Sequence, residues 1–414
     1  MFCICRYAII CGMKKKITVL SASLLALFAV RLAFMATMPV FEPSEARYAA
    51  IAANMARTGD FLVPHFTCRG EYCPFAGKPP LVFQTGAVFC RILGVNEFAV
   101  RLMPFLSYLF LLAIVFCSVK KLAGAASACL ALGICATCVP LYGTAGLCMT
   151  DVPLSCCVAG SLMLYACHRA DRRLGYALGI GALLGCGMLI KGPVAVVLFA
   201  LPVMVDAVVN RKWSVVFDWR WIVAMAVLLV IASPWFVIME MRTPGFLRYF
   251  FVNENLLRYL VHDYGDRYGA GRETFRGMAL AWMFVVALPW SLVPLRYIWG
   301  KRRDMLATRD FFFVSFVSIT AFWCLTSRVP MTYLLPAAPL FAAWLAQRCG
   351  GMRMHMWRML PLAVIVSELT VASVMLVGYL CTDKMRGESS LKKVSKRHFA
   401  YEFYHGPWGR GAPQ

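Results

Sequence analysis

Long apolar runs separated by short basic connections dominate the chain. Each run approaches the roughly 20 residues that a helix needs to cross the hydrocarbon core of a bilayer. The hydropathy pattern therefore predicts an all-α polytopic membrane protein with about eleven transmembrane helices. We expect these helices at residues 17–40, 98–119, 124–142, 152–167, 174–190, 194–209, 222–240, 277–298, 311–325, 331–346 and 360–381.

Residues 41–97 break this pattern, because charged and apolar positions alternate there over short distances. The segment is too polar to span a membrane, and its short amphipathic stretches predict juxtamembrane helices that lie along the membrane surface. We accordingly expect one transmembrane domain over residues 1–381, with residues 41–97 as its first loop. Residues 382–414 form a short, basic C-terminal tail.

Basic residues assign the sides of the membrane. Lys14, Lys15 and Lys16 precede the first apolar run, which predicts a retained signal anchor and a cytoplasmic N-terminus. Every second connection after that run is basic, as cytoplasmic connections are. The first loop, the loop at residues 241–276 and the tail are therefore expected outside the cytoplasm. The sequence leaves open whether the chain starts at Met1 or Met13.

Composition excludes a soluble protein and a nucleic-acid-binding protein. The chain is 61% hydrophobic and only 15% charged, whereas soluble domains carry about 25% charged residues. Its net charge of +22 comes from small clusters between apolar runs, without the basic face of a nucleic-acid-binding protein. Most of the 18 cysteines lie inside apolar runs, where a thiol acts as a small hydrophobe.

Cys68 and Cys73 are different, because they lie together in the polar first loop. The expected topology puts them outside the cytoplasm, where disulfides persist. We expect either a disulfide between them or two free thiols.

Gly179, Gly181, Gly185 and Gly187 loosely resemble a nucleotide-binding glycine loop. They lie inside an apolar run with no strand before it, however, and small residues at four-residue spacing are typical of close helix packing in membranes. We interpret them as a packing surface.

Candidate chemistry begins directly after the first membrane helix. Glu42, Glu45, Arg47 and Tyr48 follow each other there, at the depth of a lipid headgroup. Carboxylates can take a proton from an attacking hydroxyl, and an arginine can bind a phosphate through two parallel hydrogen bonds. The alternative is a helix N-terminus, where an acidic residue is favoured by the helix dipole.

Further polar residues recur at helix ends on the same side. Cations there could offset the charge of a phosphate leaving group, although each residue alone could also be a snorkelling side chain or a loop ion pair. Asp151 is the next catalytic candidate after Glu45 and Glu42. The candidates for substrate binding are Arg47, Tyr48, Lys78, Lys191, Glu254, Arg258, Arg328 and Tyr333.

A series of motifs resembles the GT-C glycosyltransferases of the PMT and ArnT type. It covers residues 14–348 in family order. The motifs include EPSEARYAAIAANM from Glu42, GDFLVPH from Gly59, KPP at Lys78, GVNEFAVRL from Gly94, DVP at Asp151, LIKGP from Leu189, SPW at Ser233, YFFVNEN from Tyr249, ALPW from Ala287 and RVPMTYLLP from Arg328.

This resemblance implies a GT-C fold and an enzyme of the plasma (inner) membrane. Such an enzyme moves a sugar from a polyprenyl-phosphate carrier to a lipid, protein or glycan acceptor on the extracytoplasmic face. It also implies an acidic catalytic residue in the first loop. The residue at the matching motif position is Glu45, and Glu42 is the candidate for a second carboxylate.

Three departures from the family pattern matter. Family members often have Asp-Glu where this chain has Ser44-Glu45, Glu-Lys-Pro where it has Gly77-Lys78-Pro79, and Glu-His where it has Glu254-Asn255. The second and third remove metal-ligating side chains. We therefore predict no metal or other cofactor, with a divalent metal as an open alternative.

Two other functions compete with glycosyl transfer. One is a transporter or flippase of lipid-linked or amphipathic substrates, which would place its polar residues near the bilayer midplane. The other is an inactive relative of the enzymes, favoured by Ser44, Gly77 and the short tail. The clustering of polar residues at helix ends on one side favours the enzyme.

Overall fold

The structure, a computed structural model, describes residues 2–41, 44–68, 71–261, 274–294, 310–348 and 353–381. Helices dominate these residues, and their apolar faces pack into one large core. The helical class predicted from the hydropathy pattern is confirmed. The tail at residues 382–414 lies outside the described residues.

The elements follow the chain in two groups. The first comprises α1 (Phe2–Thr37), α2 (Ser44–Thr58), β1 (His65–Cys68), β2 (Glu71–Pro74), α3 (Leu81–Leu93), α4 (Glu97–Ala136), α5 (Val139–Ala145), α6 (Asp151–Asp171), α7 (Leu174–Lys191), α8 (Val194–Asn210), α9 (Trp213–Val216) and α10 (Arg220–Arg242). The second comprises helical turns at Phe246–Arg248 and Arg258–Leu260 around a π-helix at Tyr249–Leu257, then helices at Met278–Val286 and Phe311–Cys324, a 3₁₀ turn at Met331–Leu334, and helices at Ala337–Arg348 and Arg353–Cys381.

Several of these helices can cross a membrane. Among the described residues, five segments are long and apolar enough: Lys16–Thr37, Glu97–Ala136, Leu174–Lys191, Arg220–Arg242 and His355–Val374. Three shorter helices are also apolar: Leu81–Leu93, Val194–Asn210 and Phe311–Cys324. The chain is therefore a multi-pass membrane protein, and the expected total of about eleven spans stays a prediction.

Helix α4 joins two of the predicted spans. It begins where the Asn96 side chain accepts a hydrogen bond from the amide of Ala99 at 2.9 Å, which is a standard N-cap. Residues 98–119 and 124–142 were expected as separate helices. The structure agrees, because Gly124 has a non-helical φ of 82° and ψ of 168°, a conformation open to glycine, and this break divides α4 into two helical segments. The second segment ends at Ala136.

Glycines bring α7 against its neighbours. A Cβ atom at Gly181 would collide with the backbone of Ala224 on α10, and one at Gly187 would lie 2.7 Å from the Cβ of Ala195 on α8. Since real Cβ atoms do not approach so closely, these positions require glycine. The interpretation of the glycine series as a packing surface is confirmed.

The first loop builds a small core of its own. Helices α2 and α3 pack together, as the predicted juxtamembrane helices, and aromatic rings fill the space between them and the strands. Tyr48 and Phe83 have ring centroids 5.4 Å apart, and those of Phe66 and Phe75 are 5.7 Å apart. The antiparallel hairpin of β1 and β2 was not predicted. Its strands are only four residues long, too short for a clear alternating pattern.

The hairpin register places the two cysteines of the candidate pair. It pairs Phe66 with Cys73 and Cys68 with Glu71, so the two cysteines are diagonal neighbours instead of direct partners. Cys73 is a free cysteine in this structure. The Cys68 side chain lies outside the described residues, and the redox state of the pair stays a prediction.

A buried ion pair fixes the start of the first loop. The Arg101 guanidinium on α4 donates from Nε to Glu45 Oε1 at 2.8 Å and from Nη2 to Glu45 Oε2 at 3.1 Å. The two residues are 1% and 3% exposed. Arg101 also donates to the carbonyls of Met38 and Pro39 at 2.6 and 2.8 Å. The end of the first membrane helix is thereby tied to α4.

The Glu45 carboxylate has two further partners. The amide of Phe41 donates to Oε2 at 2.8 Å, and the amide of Cys148 donates to Oε1 at 2.9 Å. Each oxygen thus accepts one guanidinium and one backbone hydrogen bond. This arrangement compensates the cost of burying the charge and links α2, α4 and the segment before α6.

We expect Arg101→Met to destabilise the protein strongly, because it leaves the Glu45 carboxylate buried without its cation. Breaking one partner of such a pair typically costs about 3–5 kcal/mol. The matched control is Lys121→Met, which removes the cation of the far more exposed Lys121–Asp171 pair. Thermal unfolding in detergent measures both. Equal stability of the two variants would contradict the role of Arg101.

Candidate active site

A cavity of about 530 Å³ opens among the segment before α3, the C-terminal end of α7, α8, the π-helix and the Phe311–Cys324 helix. Much of its wall is apolar or aromatic, and its charges come from four basic residues and one carboxylate. Six of the residues predicted to bind substrate line it: Lys78, Lys191, Glu254, Arg258, Arg328 and Tyr333.

Glu254 forms ion pairs with two of the cations that line the cavity. Lys78 Nζ and Arg258 Nη1 both donate to Glu254 Oε1, at 2.7 and 2.6 Å. Glu254 lies in the π-helix, a geometry that is rare in proteins and frequent at functional sites. The neighbouring Asn255 side chain donates to the carbonyl of Phe250 at 2.7 Å, within the same π-helix. The YFFVNEN motif therefore places a carboxylate between two cations from different elements.

Lys191 makes a second ion pair at the cavity wall. Its Nζ donates to Asp151 Oδ1 at 2.7 Å and lies 3.9 Å from the centre of the Tyr333 ring. Lys191 ends α7 and Asp151 begins α6, so each charge is at the helix end that its dipole favours. Gly192 ends α7 with a φ of 84°, and a Cβ atom at this position would lie only 2.7 Å from the Phe250 ring.

Tyr48 connects the first loop to these charges electrostatically. Burial raises the pKa of its phenol above the usual value. The Arg47 cation opposes that rise, and the charges of Asp151 and Glu254 add to it. Tyr48 therefore stays protonated at neutral pH and retains its hydrogen-bond donor. It does not itself line the cavity.

The remaining candidates lie apart from the cavity. Glu45 is enclosed by Arg101 and two backbone amides, and its predicted catalytic role stays a prediction. Arg47 is half-buried on α2 and does not belong to the cavity lining. Glu42 lies outside the described residues. Among the catalytic candidates, Asp151 is the one tied to a cavity residue.

The sequence analysis did not predict two sets of residues that shape this region. One is Arg101, a lone arginine inside an apolar helix that belongs to the GVNEFAVRL motif but was not singled out as a candidate. The other is an aromatic wall beside the cations. Tyr259 and Phe322 stack with ring centroids 4.8 Å apart, and Trp323 packs against Tyr333 at 4.7 Å. These rings lie in or beside apolar runs, where hydropathy cannot separate a cavity wall from a lipid-facing surface.

The described part of the chain contains no cluster of three or more His, Cys, Asp or Glu side chains that could hold a metal ion. The cavity's own carboxylate, Glu254, has two cations as partners.

Similarity to known proteins gives this geometry a family context. A family model described as dolichyl-phosphate-mannose-protein mannosyltransferase matches residues 77–238. Two similar proteins are both named undecaprenyl phosphate-alpha-4-amino-4-deoxy-L-arabinose arabinosyl transferase. The one from Pseudomonas fluorescens is 29% identical over 74% of this chain and 55% of its own length. The one from Edwardsiella ictaluri is 25% identical over 75% and 56%. The chain thus spans about half the length of these curated relatives.

Solved structures show the same fold. ArnT from Cupriavidus metallidurans bound to undecaprenyl phosphate superposes with a TM-score of 0.69 at 19% identity, covering 91% of this chain and 73% of that one. AglB from Archaeoglobus fulgidus, an archaeal oligosaccharyltransferase, gives 0.54 at 12% identity, covering 88% and 56%. The predicted GT-C fold and the predicted resemblance to PMT and ArnT-like glycosyltransferases are confirmed.

Proposed function

We propose that this PMT/ArnT-like protein of GT-C fold is a membrane glycosyltransferase that takes its sugar from a polyprenyl-phosphate carrier. The observation that carries the proposal is the convergence of separate motifs on one cavity. Lys78, Lys191, Arg258 and Arg328 come from four different parts of the chain and meet there. The names of the similar arabinosyl transferases support the same donor class.

The four cations can stabilise the polyprenyl phosphate that leaves in this reaction. When the bond between the sugar C1 and the carrier phosphate breaks, negative charge grows on the phosphate oxygens. Arg258 and Arg328 can bind those oxygens through parallel hydrogen bonds, and Lys78 and Lys191 add point charges. Preorganised cations stabilise the transition state because they need no rearrangement as the charge develops.

Asp151 is the proposed general base. It would accept the proton of the acceptor hydroxyl while the acceptor oxygen forms its bond to C1 and the polyprenyl phosphate departs. Its ion pair with Lys191 brings the carboxylate beside the cations that hold the phosphate. Glu45 instead positions the loop, because its partners are Arg101 and backbone amides.

We propose a lipid-type acceptor on the same side. A second cavity of about 480 Å³ is lined almost entirely by apolar residues, among them Phe41, Leu147 and Met331. Met331 is two residues from Tyr333 in the first cavity, and Phe41 lies beside the Glu45 network. An aliphatic chain in the second cavity would bring its hydroxyl headgroup towards the cations. Protein and glycan acceptors stay among the alternatives.

The proposed orientation puts both cavities on the extracytoplasmic side of the plasma (inner) membrane. Residues 41–97 begin at the end of the first span, and basic clusters occupy the opposite connections. The N-terminus is then cytoplasmic.

We expect Arg328→Gln to weaken binding of undecaprenyl phosphate by about 10-fold, because a charge-assisted hydrogen bond to phosphate is lost. The matched control is Arg220→Gln. Arg220 is paired with Asp218 at the start of α10 and does not line the cavity. Binding of labelled undecaprenyl phosphate to purified protein measures the difference. Equal affinity for both variants would remove Arg328 from the phosphate site.

We expect Asp151→Asn to lower turnover by about 10²- to 10⁴-fold while binding of the carrier changes little, since a general base contributes mainly to the chemical step. Glu45→Gln should instead reduce the yield of folded protein and leave the turnover of the folded fraction closer to wild type. Transfer of radiolabelled sugar to membrane lipid is measured beside thermal unfolding. A stable Glu45→Gln protein without activity, together with an active Asp151→Asn protein, would reassign the base to Glu45.

We expect Asp60→Cys to react with a membrane-impermeant maleimide in intact cells, and Lys212→Cys to react only after permeabilisation. Asp60 lies in the first loop, and Lys212 lies in a basic connection. Labelling of the unsubstituted protein is subtracted as background because the chain has other cysteines. Protection of Asp60→Cys in intact cells would overturn the orientation.

A further inference from the structure

The described cavity has an excess of positive charge. Lys78, Lys191, Arg258 and Arg328 contribute four cations, and Glu254 and the wall-side Asp151 contribute two carboxylates. These groups therefore leave a net charge of +2. A polyprenyl-phosphate sugar is a phosphodiester with one negative charge, so its binding offsets only part of this excess.

Both carboxylates already have cationic partners. Glu254 Oε1 accepts from Lys78 and from Arg258, and Asp151 Oδ1 accepts from Lys191. An ammonium group on the sugar would have to compete with these pairs. It would also lie among like charges in a largely apolar enclosure, where repulsion is stronger than in water.

We propose that the transferred sugar is neutral or acidic and carries no ammonium group. This inference rests on the proposed function and goes beyond it, because the names of the similar arabinosyl transferases specify a 4-amino sugar. Specificity of this kind comes from repulsion of the wrong ligand as much as from attraction of the right one. A hydroxyl at the same ring position meets no such repulsion, and a carboxylate would be attracted.

The test compares three synthetic donors that share one undecaprenyl phosphate and one pentose. They carry a hydroxyl, an amine or an N-formylated amine at the sugar C4. The purified protein receives each donor in turn with membrane lipid as acceptor. We expect transfer from the hydroxyl donor to exceed that from the amino donor by about 10-fold. The N-formyl donor should resemble the hydroxyl donor, because formylation removes the positive charge while increasing the size.

A pair of variants tests whether charge causes the preference. Leu256 lines the cavity and is 52% exposed, so a polar side chain is tolerated there more easily than in the core. Leu256→Glu adds a carboxylate to the cavity wall, and Leu256→Gln adds a side chain of the same shape without the charge. We expect Leu256→Glu to raise amino-donor transfer relative to hydroxyl-donor transfer, and Leu256→Gln to leave that ratio unchanged.

The outcomes separate the two proposals. Transfer from the amino donor that equals or exceeds transfer from the hydroxyl donor overturns the inference and leaves the proposed glycosyl transfer intact. Poor use of both the amino and the N-formyl donor also overturns it, because size would then explain the preference. Absence of transfer from every donor, by protein that is folded and binds undecaprenyl phosphate, overturns the proposed function itself.

Discussion

The Arg101–Glu45 ion pair is the contact on which the geometry of the first loop depends. Arg101 holds the carbonyls at the end of the first membrane helix, and Glu45 holds the amides of Phe41 and Cys148. One buried guanidinium and one buried carboxylate thus fix the positions of four chain segments. Since each charge would be costly to bury alone, these segments keep their arrangement together or lose it together. Cys148 lies three residues before Asp151, so the same network orients the start of α6.

A second level of organisation is the pairing of charges across elements at the cavity. Lys78 precedes α3, Glu254 lies in the π-helix, Lys191 ends α7 and Asp151 begins α6. The Lys78–Glu254 and Lys191–Asp151 pairs each join two of these elements, and Lys78 and Lys191 are therefore held in place before any substrate arrives. Cations without such partners would repel each other in a largely apolar enclosure. The carboxylates allow them to lie close together while a net positive charge remains for the phosphate.

The sequence was sufficient to predict the helical class and six residues of the cavity, because those residues lie at or near the ends of apolar runs. Position along the chain and hydropathy reveal such an arrangement. The partners of Glu45 could not be predicted, since Arg101 is 56 positions away and only packing brings the two together. The short hairpin was missed for a related reason. Its strands of four residues give no clear alternating pattern, so their pairing becomes visible only in the folded chain.

Among the described residues, the acidic groups at this cavity come from the helical scaffold. Ser44 and Gly77 stand where the family pattern has carboxylates, and the Gly77 carbonyl accepts a hydrogen bond from Lys78 Nζ at 2.7 Å. The carboxylates of Asp151 and Glu254 lie in α6 and the π-helix, whose positions are set by packing in the core. The two carboxylates are therefore held by packed elements, and both already have cationic partners. The proposed exclusion of an ammonium group follows from this arrangement, whereas the proposed phosphate site keeps its four cations.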